Sequence, residues 1–270
     1  MQRVIWWLIV FAGLVGLALI IYNAVGPPER EVIVHSPSPR ETVPPAVPAE
    51  PEIRHPVPQK PAEKPLPALD TSDATMRDSL AELLPDGALI KLPVLKDFVR
   101  RVVATIDNLP RRATAPRLWP LKPAPGRFKV SGSEEHPTIA ADNSARYAIY
   151  ARLAEAIDSA KLAAIYFHYY PLFQQAYRDL GYPKGHFNDR LVQVIDHLLE
   201  APELQEPVAL VRPKVFYLYA DPELESRSAG QKILMRAGTE NARRVKAKLR
   251  EIRREIAGGL DKRKEAQTIQ

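Results

Sequence analysis

The chain has 270 residues, a formal net charge of +6, 27 prolines and no cysteine. The missing cysteines exclude disulfides, thiolate metal sites and a thiol nucleophile. The basic excess is local: Glu240–Glu265 holds ten Lys/Arg against five Asp/Glu, while residues 1–67 hold six of each. A broad nucleic-acid-binding face is therefore not expected.

Val4–Tyr22 is an uncharged run of 19 residues. At about 1.5 Å per residue it reaches roughly 28 Å, the thickness of a bilayer core. Trp6, Trp7 and Tyr22 stand at its ends, as interface aromatics do. The rival reading is a cleaved signal peptide, but the apolar run exceeds the usual ~7–15 residues and Pro27 follows the only small-residue cut site. With Arg3 before the span and no basic residue after it until Arg30, the positive-inside rule places the remainder outside the cytoplasm. The expectation is a single-pass inner-membrane protein whose domain faces the periplasm, anchored through residues 1–25.

Residues 26–67 form a proline-rich spacer, with 13 prolines between Pro27 and Pro67. Proline removes amide donors and keeps its neighbours extended. At about 3.1 Å per residue the spacer reaches on the order of 120 Å. His35 and His55 fall here and read as solvated.

Folding signals run over residues 68–257, with a charged tail over 258–270. The sequence predicts a mainly α domain of six to eight helices plus a small β-hairpin. Asp70–Asp73 offers helix caps before Met76, Leu80, Leu83 and Leu84, and Pro85-Asp86-Gly87 ends that run. Leu92, Leu95, Val99, Val102 and Ile106 recur at helical spacing behind Pro93. Residues 110–142 are irregular, read as a strap pinned by Trp119, Leu121 and Phe128, with one short strand at Phe128–Val130. Asp142-Asn143-Ser144 is expected to cap a helix reaching Asp158.

Ser159–Leu199 is the most aromatic stretch. Leu162, Tyr166, Tyr169, Phe173, Tyr177 and Leu180 form a helical stripe that Pro171 interrupts, which predicts a kink or two helices meeting at Tyr170-Pro171. Phe187, Leu191, Val194, Ile195 and Leu198 predict the next helix, stopped by Pro202. Val208–Val211 and Val215–Tyr219 read as hairpin strands around Arg212-Pro213-Lys214. Asp221-Pro222-Glu223 starts a short helix, Gly230–Met235 another, and Thr239 opens a last helix whose apolar face is Val245, Leu249, Ile252 and Ile256.

No strong catalytic motif is present: the nucleophile elbow, the phosphate loop, the dinucleotide glycine fingerprint and the calcium loop are all missing. His168, His186 and His197, with Asp189 and Asp196, are the only cluster able to suggest a metal-dependent hydrolase, and their spacing reads more simply as a polar helix face. No cofactor is expected. The candidate contact residues are Tyr170, beside the proline, and Arg243, Arg244, Lys246, Lys248 and Arg250 on the basic helix.

Several blocks resemble one bacterial family, catalogued as domain of unknown function 3014: DNLPR (Asp107–Arg111), YYPLFQQAYRDLGYP (Tyr169–Pro183), HFNDRLVQVIDHLL (His186–Leu199), RPKVFYLYADPELE (Arg212–Glu225) and AGQKILMRAGTENARRVKAKLREIR (Ala229–Arg253). The resemblance covers about residues 66–256. It implies an N-terminal anchor and proline-rich linker, and no activity or catalytic residue. The expected function is a non-enzymatic envelope protein that binds a protein or a cell-wall component.

Overall fold

The computed structural model describes residues 52–58, 65–83 and 94–258. The predicted span Val4–Tyr22, most of the spacer and the tail after Gly258 lie outside the described residues. Among the described residues no helix is long and apolar enough to cross a membrane.

Eight α-helices and two antiparallel strand pairs make up the described domain: α1 (Asp73–Leu83), α2 (Phe98–Asn108), α3 (Ala148–Ala156), α4 (Ser159–Asp179), α5 (Phe187–Leu199), α6 (Pro222–Ser226), α7 (Ala229–Arg236) and α8 (Thr239–Ala257), with β1 (Val130–Gly132) on β2 (Pro137–Ile139) and β3 (Leu210–Val211) on β4 (Leu218–Tyr219). The mainly helical expectation and the hairpin are both met.

The details differ where side chains find distant partners. Asp73 does not cap its own helix; its carboxylate takes the amides of Asp97 and Phe98, at 2.8 and 3.0 Å, and so caps α2. Asp97 turns through the left-handed region at φ 54°, so the helix bearing Val99 and Ile106 begins at Phe98. Leu92 and Pro93 lie outside the described residues. Asp142–Ser144 likewise fails as a cap: Ala141–Tyr147 is a 3-10 turn, and Asn143 points inward to the Lys129 amide and the Arg236 carbonyl. The strap holds a hairpin rather than one strand, because Gly132, at φ 88°, lets the chain double back. A Cβ there would sit 2.4 Å from the His136 carbonyl oxygen. Leu121 is exposed.

Pro171 does not split the helix that carries the aromatic stripe: Ser159–Asp179 is one helix of 21 residues. Pro171 is on the exposed side, where water can serve the Phe167 carbonyl left without an amide. The buried face of α4 (Tyr166, Tyr169, Phe173, Tyr177) packs with Val99 and Val103 of α2, Phe187, Val192 and Ile195 of α5, and Ile256 of α8. Phe187 is wholly buried and stacks on Phe173 with ring centroids 5.9 Å apart. At about 1.5–3 kcal/mol for each large buried side chain, this cluster is the main apolar contribution to stability. Leu180, the last residue of the stripe, is exposed.

Polar side chains stitch the core. Gln174 of α4 accepts the Phe187 amide and the Tyr170 hydroxyl and donates to the Gly185 carbonyl, fixing the turn into α5. Asp107, 1% exposed at the end of α2, accepts from Arg190 at 3.1 Å, Arg111 at 2.5 Å and the Tyr182 hydroxyl at 3.1 Å. Arg190 also donates to the Asp107 carbonyl at 3.0 Å. Hydrogen bonding to Asp107 holds the Arg111 guanidinium above its ordinary range.

Two stability predictions follow from these burials. Asp107→Ala leaves two guanidinium groups and a phenol without their acceptor, and should cost about 3–5 kcal/mol in urea unfolding. Tyr219 packs with Val208, Leu210 and Met235, and its buried hydroxyl finds no partner among the described residues. Burial pushes this phenol up to about 12, against the opposing pull of the Arg236 cation. An unfolded tyrosine ionises near 10. The native phenol keeps its proton longer, so its contribution is complete below that value and is lost as pH rises toward 12. Tyr219→Phe should leave neutral-pH stability within about 0.5 kcal/mol and reduce the alkaline loss, read from unfolding curves across that window.

Candidate functional site

The five residues of the suspected metal cluster each go to a different place. His168 is exposed, edge-on to Tyr169 at 4.7 Å between ring centroids. His186 precedes α5 and makes no capping bond. Asp189 holds the amides of Arg54 and His55, and Asp196 pairs with Arg253 of α8. Among the described residues no three His, Asp or Glu side chains gather to hold a metal ion.

His197 lies in a cleft. Pro110, Arg112, His197, Glu223, Arg227 and Ser228 line an open hollow of about 480 Å³. The His197 ring Nε2 lies 2.8 Å from Ser228 Oγ, a spacing that a base and a hydroxyl nucleophile also use. Here the pair joins two helices. Ser228 caps α7 by accepting the Gln231 amide at 3.2 Å, and Gln231 donates back to the His197 carbonyl at 2.9 Å. The next free amides of α7, Ala229 and Gly230, are taken by the carbonyls of Arg111 and Leu109, at 2.8 and 2.9 Å. The amides of Ala229, Gly230 and Gln231 are therefore committed to contacts within the domain. Gly230 is needed for this approach: a Cβ would meet Leu198 Cδ2 at 2.6 Å and the Leu109 carbonyl oxygen at 3.1 Å.

The expected contact residues separate into held and exposed groups. Tyr170 is half-buried and donates its hydroxyl to Gln174 at 2.9 Å. Lys246, expected on the basic surface, is instead buried and donates to the Ala201 carbonyl; burial lowers its ammonium below the ordinary lysine range. Lys248 donates to the Ile157 carbonyl and pairs with Glu251. Arg244 joins Glu155 and Glu240. Arg243 is exposed beside Glu203, and Arg250 is exposed with no ion pair among the described residues. The charge run of α8 thus serves largely to dock that helix on α3 and α5.

The free surface lies elsewhere. Residues 212–217 form a loop, not strand, because Leu210 pairs with Tyr219 and Val211 with Leu218 and the ladder stops there. Val215 and Phe216 stand 70% and 79% exposed at its tip, with exposed Arg212 and Lys214 beside them. Among the described residues Phe216 touches no other aromatic ring, while Tyr217 behind it lies near Phe128 and under the Arg212 guanidinium. In sequence these residues read as strand; the only signal of a tip was Arg212-Pro213-Lys214, which lacks the residues of a tight two-residue turn.

The described domain is a mainly helical body with a hairpin whose tip is exposed and with two buried charged side chains, Asp107 and Lys246. The chain belongs to the family described as Protein of unknown function (DUF3014), whose model matches residues 98–253. No curated protein and no solved structure matches it. The matched region contains Asp107, the His197–Ser228 pair and the hairpin tip.

If His197 and Ser228 are a helix-joining pair, His197→Ala and Ser228→Ala should each cost about 1–2 kcal/mol. The double variant should cost less than the sum, measured by a double-mutant cycle in urea.

Proposed function

We propose that this protein is a non-enzymatic interaction module of the bacterial envelope, anchored through Val4–Tyr22, facing the periplasm on its proline-rich spacer and binding a partner protein. The observation that carries the reading is the exposed Val215–Phe216 tip flanked by Arg212 and Lys214. Two large apolar side chains held out on a short hairpin gain nothing for folding and suit an apolar pocket with an acidic rim. The other polar candidates support the same reading, since His197 is paired with Ser228 beside its open hollow and Lys248 of the basic helix is engaged within the domain. A cell-wall polymer suits the tip less well, because sugar rings need directional donors and acceptors around the stacking group.

A photocrosslinking residue at position 216 in the full chain, expressed in cells, should give one dominant protein adduct. Phe216→Ser should lose that partner in a parallel capture while changing stability by no more than about 0.5 kcal/mol. A Phe216→Ser chain that keeps its partner in full would remove the tip from the account. A topology reporter fused after Gln270 should report the periplasm; a cytoplasmic signal overturns the placement.

A further inference from the structure

The short stretch 52–58 hydrogen-bonds to two adjacent residues of the folded domain. The amides of Arg54 and His55 donate to the Asp189 carboxylate, at 3.1 and 2.6 Å, one to each oxygen. The Asn188 side-chain amide donates to the His55 carbonyl at 2.8 Å. Three consecutive polar groups of a main chain that bends at Arg54 and His55 are thereby satisfied by two adjacent side chains. No hydrogen bond from the side chain of Arg54 or His55 joins the contact among the described residues. Pro56, Val57 and Pro58 follow, half-buried.

The receiving groups are built into the core. Asn188 is 1% exposed. Its Oδ1 accepts the Tyr166 hydroxyl at 3.1 Å, and its Nδ2 also donates to the Ile256 carbonyl at 3.2 Å, so α4 and α8 both fix its orientation. Asp189 sits in the first turn of α5, where the helix dipole favours a carboxylate. A carboxylate taking two successive amides and an amide giving to the next carbonyl read backbone, not side chains. Proline after the second residue matches this geometry: it disfavours helix at His55, and its own lack of an amide leaves no donor unsatisfied.

We propose that Asn188 and Asp189 form a main-chain-reading clamp for peptides that bend at two residues with free amides followed by proline, filled here by the chain's own Arg54-His55-Pro56. The clamp holds residues 54–56 of the spacer beside the start of α5. It is a site of the folded domain, so the same chemistry accepts a peptide of this kind in trans once the chain's own segment is removed.

The test uses the full chain with residues 52–58 replaced by glycine and serine, and a fluorescent peptide of residues 50–58. The peptide should bind the replaced chain, and bind the unaltered chain at least about tenfold more weakly because the tethered segment competes. Asp189→Asn in the replaced chain should weaken binding at least about tenfold. A peptide N-methylated at the His55 amide should lose at least about tenfold as well, while peptides with alanine at position 54 or 55 bind within about threefold of the parent. A parent peptide that does not bind a replaced chain still unfolding cooperatively overturns the proposal. So does an N-methylated peptide that binds as well as the parent, a comparison that does not depend on any variant of the domain folding.

Discussion

The buried carboxylate of Asp107 is the constraint on which the rest of the domain depends. A charge removed from water must be met by opposite charge and by hydrogen bonds. Asp107 obtains these from Arg190 at the start of α5, from Arg111 one turn further along its own chain, and from Tyr182 in the turn leaving α4. Satisfying one carboxylate therefore fixes the relative position of α2, α4 and α5. The backbone leaving that junction is fixed in turn: the carbonyls of Leu109 and Arg111 receive the first amides of α7, and Gly230 lets the helix approach. A single ionised group thus organises the apolar core around it without contributing apolar area.

The same device recurs at the other crossings. Gln174 ties α4 to the start of α5, Asn188 ties α5 to α4 and α8, and Asn143 ties the strap to the Arg236 carbonyl at the end of α7. Lys246 joins α8 to the Ala201 carbonyl after α5. Each of these side chains is buried, and each satisfies main-chain groups that secondary structure leaves open. The blocks DNLPR, GYP and HFNDR, which carry much of the resemblance to the family, contribute Asp107, Arg111, Tyr182, Asn188 and Arg190 to these knots. Their chemistry is that of a framework rather than of a reaction.

What was legible in the sequence was whatever depends on periodicity. The stripe of Tyr166, Tyr169, Phe173 and Tyr177, and the α5 face of Val194, Ile195 and Leu198, lie where their spacing puts them, because burial of an apolar helix face is a local pattern with a global outcome. What was not legible depends on partners far along the chain. Asp73 looked like a cap for its own helix and caps α2; Asp142–Ser144 looked like a cap and gives Asn143 to the interior. Asp107 gave no sign of burial, since nothing local marks a carboxylate whose partners are 75 and 83 residues away. The basic helix misled in the other direction: a charge run reads as surface, whereas Lys246 and Lys248 reach carbonyls of neighbouring segments. Phe216 read as strand because its neighbours are strand formers, and only the register of Leu210 with Tyr219 leaves it outside the ladder.

These observations divide the described domain into a polar-stitched framework and an outward apolar tip at Val215 and Phe216. The division rests on the framework's charges being coupled to each other. A double-mutant cycle on Asp107 and Arg190, using alanine at each and urea unfolding of all four chains, measures that coupling directly. The account predicts a coupling energy of about 1.5–3 kcal/mol, the double variant being far less destabilised than the sum of the singles. Additive losses, with coupling below about 0.5 kcal/mol, would contradict it and return Asp107 to the list of groups available for chemistry.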